Sequence, residues 1–218
     1  MRTAVFAVIA WCSATIACAG RFSLNSQSLS RSNIGTARTP LISAAPASLE
    51  KRDDSCPEDL AGKSFEFPHL IIPIDEEHPN IAYGTQYNVT ITPWLSTVFN
   101  FDIPWSDAGK HCYLTLILPT QDQLETSAVE FAGSELCFSS LKTPAIEGHT
   151  TYETKPGVSY GTVCFHEIDL GNSYEIKDFL CPAGVKIGVE MFAGDDLTWI
   201  NFFQNYAPCP IGLYIIVE

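Results

Sequence analysis

Positive charge is what this 218-residue chain most lacks. Arginine stops at Arg52, and the 166 residues beyond it carry six lysines against 24 acidic residues, a net charge of −18. Nucleic acid and anionic membrane are thereby excluded as partners of that region, because both are held by Lys and Arg patches that neutralise phosphate. The five histidines, His69, His78, His111, His149 and His166, show no H-x-x-x-H or H-x-H spacing, and no G-x-S-x-G elbow occurs. No catalytic residue and no cofactor is therefore assigned. His111 reads as an outward strand residue and His166 as a core or edge histidine. Close cysteine pairs are also missing beyond Arg52, the shortest gap there being Cys164 to Cys181, so no metal site is expected. Amphipathic helical periodicity is scarce, and "LETSAVEF" forms a short helix at most. The ending "CPIGLYIIVE" lacks the polar spacer and long apolar tail of a lipid-anchor signal, so no stable membrane anchor is expected.

What is present begins with an export pattern. Residues 1–19 read as a signal peptide: Arg2 precedes the apolar stretch "AVFAVIAWCSATIA", and Ala17-Cys18-Ala19 is a small-residue cleavage site. That stretch falls short of the roughly 20 residues a spanning helix needs. Residues 20–52 are rich in Ser, Ala, Thr, Asn and Pro without a sustained period, the composition of a disordered propeptide. It ends in Lys51-Arg52, a dibasic pair of the kind cut by processing proteases late in secretion. The protein is thus expected to be secreted, extracellular or in the cell wall, with residues 53–218 as one domain.

Six cysteines remain in that domain: Cys56, Cys112, Cys137, Cys164, Cys181 and Cys209. In an exported chain they imply three disulfides, and six cysteines admit many connectivities. The pairing expected is Cys56 with Cys209, Cys112 with Cys181, and Cys137 with Cys164.

Strand patterns dominate the domain. "TVFNFDI" sets Phe99, Phe101 and Ile103 against Val98, Asn100 and Asp102, the period of two of a half-buried strand. "KHCYLTLILP" and "GVKIGVEMF" alternate likewise, the latter opposing Ile187, Val189 and Met191 to Lys186, Gly188 and Glu190. "HLIIPI", "YNVTI", "TVCFHEIDL", "YEIKDFL", "LTWINFF" and "IGLYIIV" complete the strand-like runs, separated by Gly, Pro and Asp. Many short strands and no long helix predict an all-β fold, an antiparallel β-sandwich.

Candidate sites are few. Asn88-Val89-Thr90 is the single N-x-S/T sequon, and in "YNVTI" Asn88 faces away from Tyr87, Val89 and Ile91, so a glycan there is expected to sit in solvent. Asp75-Glu76-Glu77 and Asp195-Asp196 offer calcium-type oxygens but no D-x-[DN]-x-[DN]-G loop, and read as turn residues. Trp94 and Trp105 each follow a proline at a strand end, whereas Trp199 inside "LTWINFF" reads as core. If turns gather Trp94, Trp105 and Tyr83 at one edge, they form a sugar-stacking site; otherwise the tryptophans cap the core.

"HLIIPID", "YGTQYNVTI", "TVFNFDIP", "GKHCYLTLILP", "CPAGVKIGVEM" and "LTWINFFQNYAPCPIGLYI" follow one another in register from His69 to Ile215. In this the chain resembles the C-terminal domain of the ubiquitin-three-binding protein But-two family, a domain common in secreted and wall-associated proteins of filamentous fungi. The resemblance implies a β-sandwich, a fungal source and an extracellular location, and it transfers no catalytic residues. The partner in the family's name works with an intracellular machinery that an exported chain does not meet. The expected function is therefore a non-catalytic module at the cell wall or extracellular surface, binding wall polysaccharide or an extracellular protein. Two alternatives remain open: a secreted effector or inhibitor acting on a partner protein, and a hydrolase with a dispersed site. With 24 acidic residues, the carboxylate pair a glycosidase needs arises by chance somewhere.

Overall fold

A computed structural model describes residues 55–206 and 208–218. The expected signal peptide, propeptide and Lys51-Arg52 site lie outside these residues. Within them the chain forms twelve strands: β1 (Ser64–Glu66), β2 (Leu70–Asp75), β3 (Asn88–Ile91), β4 (Leu95–Asp102), β5 (His111–Leu118), β6 (Val129–Ala132), β7 (Leu136–Leu141), β8 (Val158–Phe165), β9 (Asn172–Leu180), β10 (Lys186–Ala193), β11 (Trp199–Phe203) and β12 (Gly212–Val217). Two 3₁₀ turns, Trp105–Asp107 and Gln121–Gln123, are the helical elements among the described residues.

The strands make three antiparallel sheets, ordered β1-β12-β5-β9, β2-β4-β10-β7-β8 and β3-β11-β6. Alternation drives the packing. Phe99 and Phe101 of β4, Leu114, Leu116 and Leu118 of β5, Val189 and Met191 of β10, and Leu213 and Ile215 of β12 turn inward to one core. The three-stranded sheet adds Val89, Ile91, Val129, Ile200 and Phe202 to the same core, so the expected sandwich carries a third, smaller sheet. Pro73 is tolerated in β2 because that strand is a sheet edge, where a missing N–H donor breaks no ladder.

The outer faces differ from the half-buried strands expected. In β4 the opposite face is covered as well: Val98 packs with Ile72, Ile74, Leu141 and Ala145 in a second cluster. The segment 142–157 makes this cover. Asn100 pins it, donating from Nδ2 to the Ala145 carbonyl (2.8 Å) and accepting the Ala145 N–H at Oδ1 (3.0 Å). On the four-stranded sheet, Ile117, Tyr214 and Ile216 are covered by Leu60, with Phe65 and Phe67 packed alongside.

Three disulfides join Cys56 to Cys209, Cys112 to Cys181 and Cys137 to Cys164, the pairs expected from the sequence. Two readings need correction. Trp199 is not core: β11 turns Ile200 and Phe202 inward, which leaves Trp199 39% exposed on the other face. "LETSAVEF" gives no helix, because Val129 enters β6 and pairs with Phe202.

Candidate functional site

A groove of about 300 Å³ lies on the outer face of the five-stranded sheet, beside the cover made by residues 142–157. Its floor follows from strand register. Ile72, Val98, Glu190, Ser139 and Thr162 face one another across β2, β4, β10, β7 and β8, so one row runs from apolar to polar. The apolar half lies under the cover, and the polar half forms the groove floor.

Glu190 is the centre of that floor and is buried. Its Oε1 accepts from the Ser96 hydroxyl (2.7 Å) and from Lys155 Nζ (2.6 Å), which supply the partners a buried carboxylate requires. Lys155 also stands 5.0 Å from the centre of the Tyr152 ring. Ser139 and Thr162 share a hydroxyl hydrogen bond of 2.8 Å. Partial desolvation, then hydrogen bonding to Glu76 and its charge, raise the Tyr152 phenol above its ordinary value.

Trp94 stands on the rim, 55% exposed, in the turn between β3 and β4. Tyr83 lies at the same end of the sheet: its hydroxyl donates to Asp75 Oδ2 (2.8 Å), and Asp75 pairs with Leu95, the residue after Trp94. Trp105 is elsewhere. It follows the far end of β4, roughly 25 Å along the strand from Trp94, because each strand residue advances about 3.3 Å. The one-edge arrangement of Trp94, Trp105 and Tyr83 therefore does not form. Trp105 instead lies across Gly184, whose positive φ and missing side chain leave room for the ring.

The remaining candidates are set out by the same turns. Asn88 is exposed at the start of β3, across from Phe203. Asp75 Oδ1 accepts from the Glu77 and His78 amides, and Asp195 Oδ1 from those of Leu197 and Thr198, so both acids tie turns. All five histidines are exposed, His166 included; His69, His78 and His166 lie within 3.1 Å of Asp102, Asp75 and Glu135 respectively. Among the described residues, the group closest to a metal-ligand set is Glu135, Cys137 and Cys164, whose two sulfurs are joined in a disulfide.

Sequence reasoning missed Tyr152, Lys155 and Glu190. The first two lie in a segment without periodicity, and only Glu190, a carboxylate facing away from Ile187, Val189 and Met191, carried a signal. It also missed a string of half-exposed rings: Tyr206, Phe67, Tyr87 and Phe203 follow one another at 5.9–6.4 Å between centres. No helix of the described residues is long and apolar enough to cross a membrane.

No curated protein matches the chain at a significant level. The model of the family described as Ubiquitin 3 binding protein But2 C-terminal domain matches residues 66–208, from the end of β1 to the last segment before β12. With most of its sandwich inside that match, the chain belongs to the But2 C-terminal domain family.

Proposed function

We propose that the domain is a non-catalytic extracellular binding module whose groove takes a segment of wall polysaccharide. The observation that carries this reading is the pairing of an exposed Trp94 face with a floor of Glu190, Lys155, Ser139 and Thr162. A sugar ring offers the same two surfaces, an apolar face for stacking and hydroxyls for hydrogen bonds. Glu190 Oε1 is already committed to two donors, which suits holding a ligand better than moving its protons. Export rests on the N-terminal sequence pattern, and three disulfides are in keeping with an oxidising compartment. A glycan is expected on the exposed Asn88, which belongs to the three-stranded sheet and not to the groove floor.

The test is a pull-down of the secreted protein on insoluble chitin, β-glucan and mannan, with Trp94→Ala, Tyr152→Ala and Trp105→Ala compared with wild type. Saturable binding lost in the first two folded variants and kept in the third is the expected result. Absence of wild-type binding to every polysaccharide overturns it.

The aromatic string favours a second reading, a secreted effector or inhibitor that grips a partner protein. Rings of this kind supply contact area at low entropic cost. Under that reading, Tyr87→Ala and Phe203→Ala weaken capture of the partner while Trp94→Ala does not. The binding named in the family's description belongs to the protein it was named for, and the export pattern keeps this chain from that setting.

A further inference from the structure

A second cavity, of about 390 Å³, opens between the two larger sheets where their edge strands β8 and β9 run side by side. It reaches core residues: Leu114 of β5, Ile187 and Val189 of β10 and Phe179 of β9 form its walls. A bulge shapes its mouth. The register of β9 against β5 shifts at Leu114/Thr115, so Lys177 pairs with inward-facing Leu114 and turns to the space between the sheets. There its ammonium lies 4.7 Å from the centre of the Tyr160 ring on β8, across the opening.

This lysine is unusual for its charge environment. Among the described residues Lys63, Lys110, Lys155 and Lys186 each pair with a carboxylate, whereas Lys142 and Lys177 do not. Of these two, Lys142 is exposed and Lys177 is half-buried. In a domain carrying 24 acidic residues, a half-buried cation facing an apolar cleft, with a ring as its partner, is open to an anion.

We infer that this cleft binds a single-chain carboxylate amphiphile, a fatty-acid-like molecule, with its tail between the sheets and its carboxylate on Lys177. The lining accounts for the tail, and the ammonium without a carboxylate partner for the sign of the head group. The volume lies near the lower end of the roughly 300–1,000 Å³ range of small-molecule sites, which suits one chain and not a bilayer lipid. The site is separate from the groove at Trp94 and stands or falls independently of it.

Titration calorimetry of the full-chain protein with octanoate, dodecanoate and hexadecanoate tests the assignment. Saturable binding is expected, strengthening roughly three- to fourfold per added methylene until the chain outgrows the cleft. Lys177→Met keeps the apolar stem and is expected to weaken dodecanoate binding about tenfold or more, as is replacing the ligand by dodecanol. Lys63→Met removes the same charge at an exposed ion pair elsewhere and leaves binding unchanged. An unaltered melting temperature shows that Lys177→Met remains folded, and Tyr160→Leu, which frees the ammonium from its ring, then tightens or preserves binding. The assignment is overturned if wild type binds none of the three carboxylates saturably, or if Lys177→Met or dodecanol binds as tightly as the reference.

Discussion

The two outer faces of the sandwich are covered in different ways. On the four-stranded sheet, Leu60, Phe65 and Phe67 close over Ile117, Tyr214 and Ile216, and the Cys56–Cys209 bridge fastens the covering segment. On the five-stranded sheet the cover is held by Asn100 and by the Lys155–Glu190 ion pair, and it stops where the floor becomes polar. An apolar face can be closed completely because burial of carbon surface is favourable at every step. A row containing Glu190, Ser139 and Thr162 needs polar partners: Ser96 and, from the cover, Lys155 supply those of Glu190, Ser139 and Thr162 bond each other, and a groove remains above them.

The contrast predicts unequal responses to cutting each fastening. The largest effect is expected from replacing Cys56 and Cys209 together by serine, which frees a cover held across 153 residues of chain. Chemical denaturation should show a loss of about 2–5 kcal/mol. Asn100→Ala comes next, at about 1–3 kcal/mol, because a buried reciprocal hydrogen-bond pair is removed. Limited proteolysis should then cut within 142–157 while sparing residues 55–67. Equal losses, or cleavage in the wrong segment, would break the comparison.

The smallest effect concerns the turn beside the groove rim. Desolvation opposes ionisation of Asp75, but hydrogen bonds from His78, Tyr83 and the Glu77 and His78 amides outweigh it and hold the carboxyl below its ordinary range. Its contribution is thus present above the unfolded value of about 3.9 and fades as pH falls through the folded one. Asp75→Asn should cost below about 1 kcal/mol at pH 6, and its melting temperature should converge on wild type on acidification toward about pH 3. A difference that persists unchanged at low pH would show that charge is not the cause.

Much of the fold is legible where strands alternate cleanly. The inward residues of β4, β5 and β10 follow from period two, and Asn88 occupies the outward face that the same alternation gives it. The covers are not legible, since 142–157 has no regular period and acts through single residues such as Ala145, held by Asn100. Strand β7 escapes the pattern because its outward residues, Cys137 and Ser139, are small, and its register shifts near Ser140 blur the alternation. Trp199 misleads because "LTWINFF" is apolar on both faces, so composition does not tell which alternate set turns inward. The groove shares this difficulty: its floor comes from five strands whose order in the sheet differs from their order in sequence.

The bulge in β9 gives one strand two readings. Before it, Tyr174 faces the core opposite Leu116; beyond it, Lys177 and Phe179 do so opposite Leu114 and Cys112. Had the pairing continued in the earlier register, Ile176 would stand opposite Leu114 and Asp178 opposite Cys112, and Lys177 would face out. One unpaired residue, Ile176, thus sets a cation at the mouth of the seam, and a change in backbone spacing alone would put an isoleucine in its place without replacing any side chain.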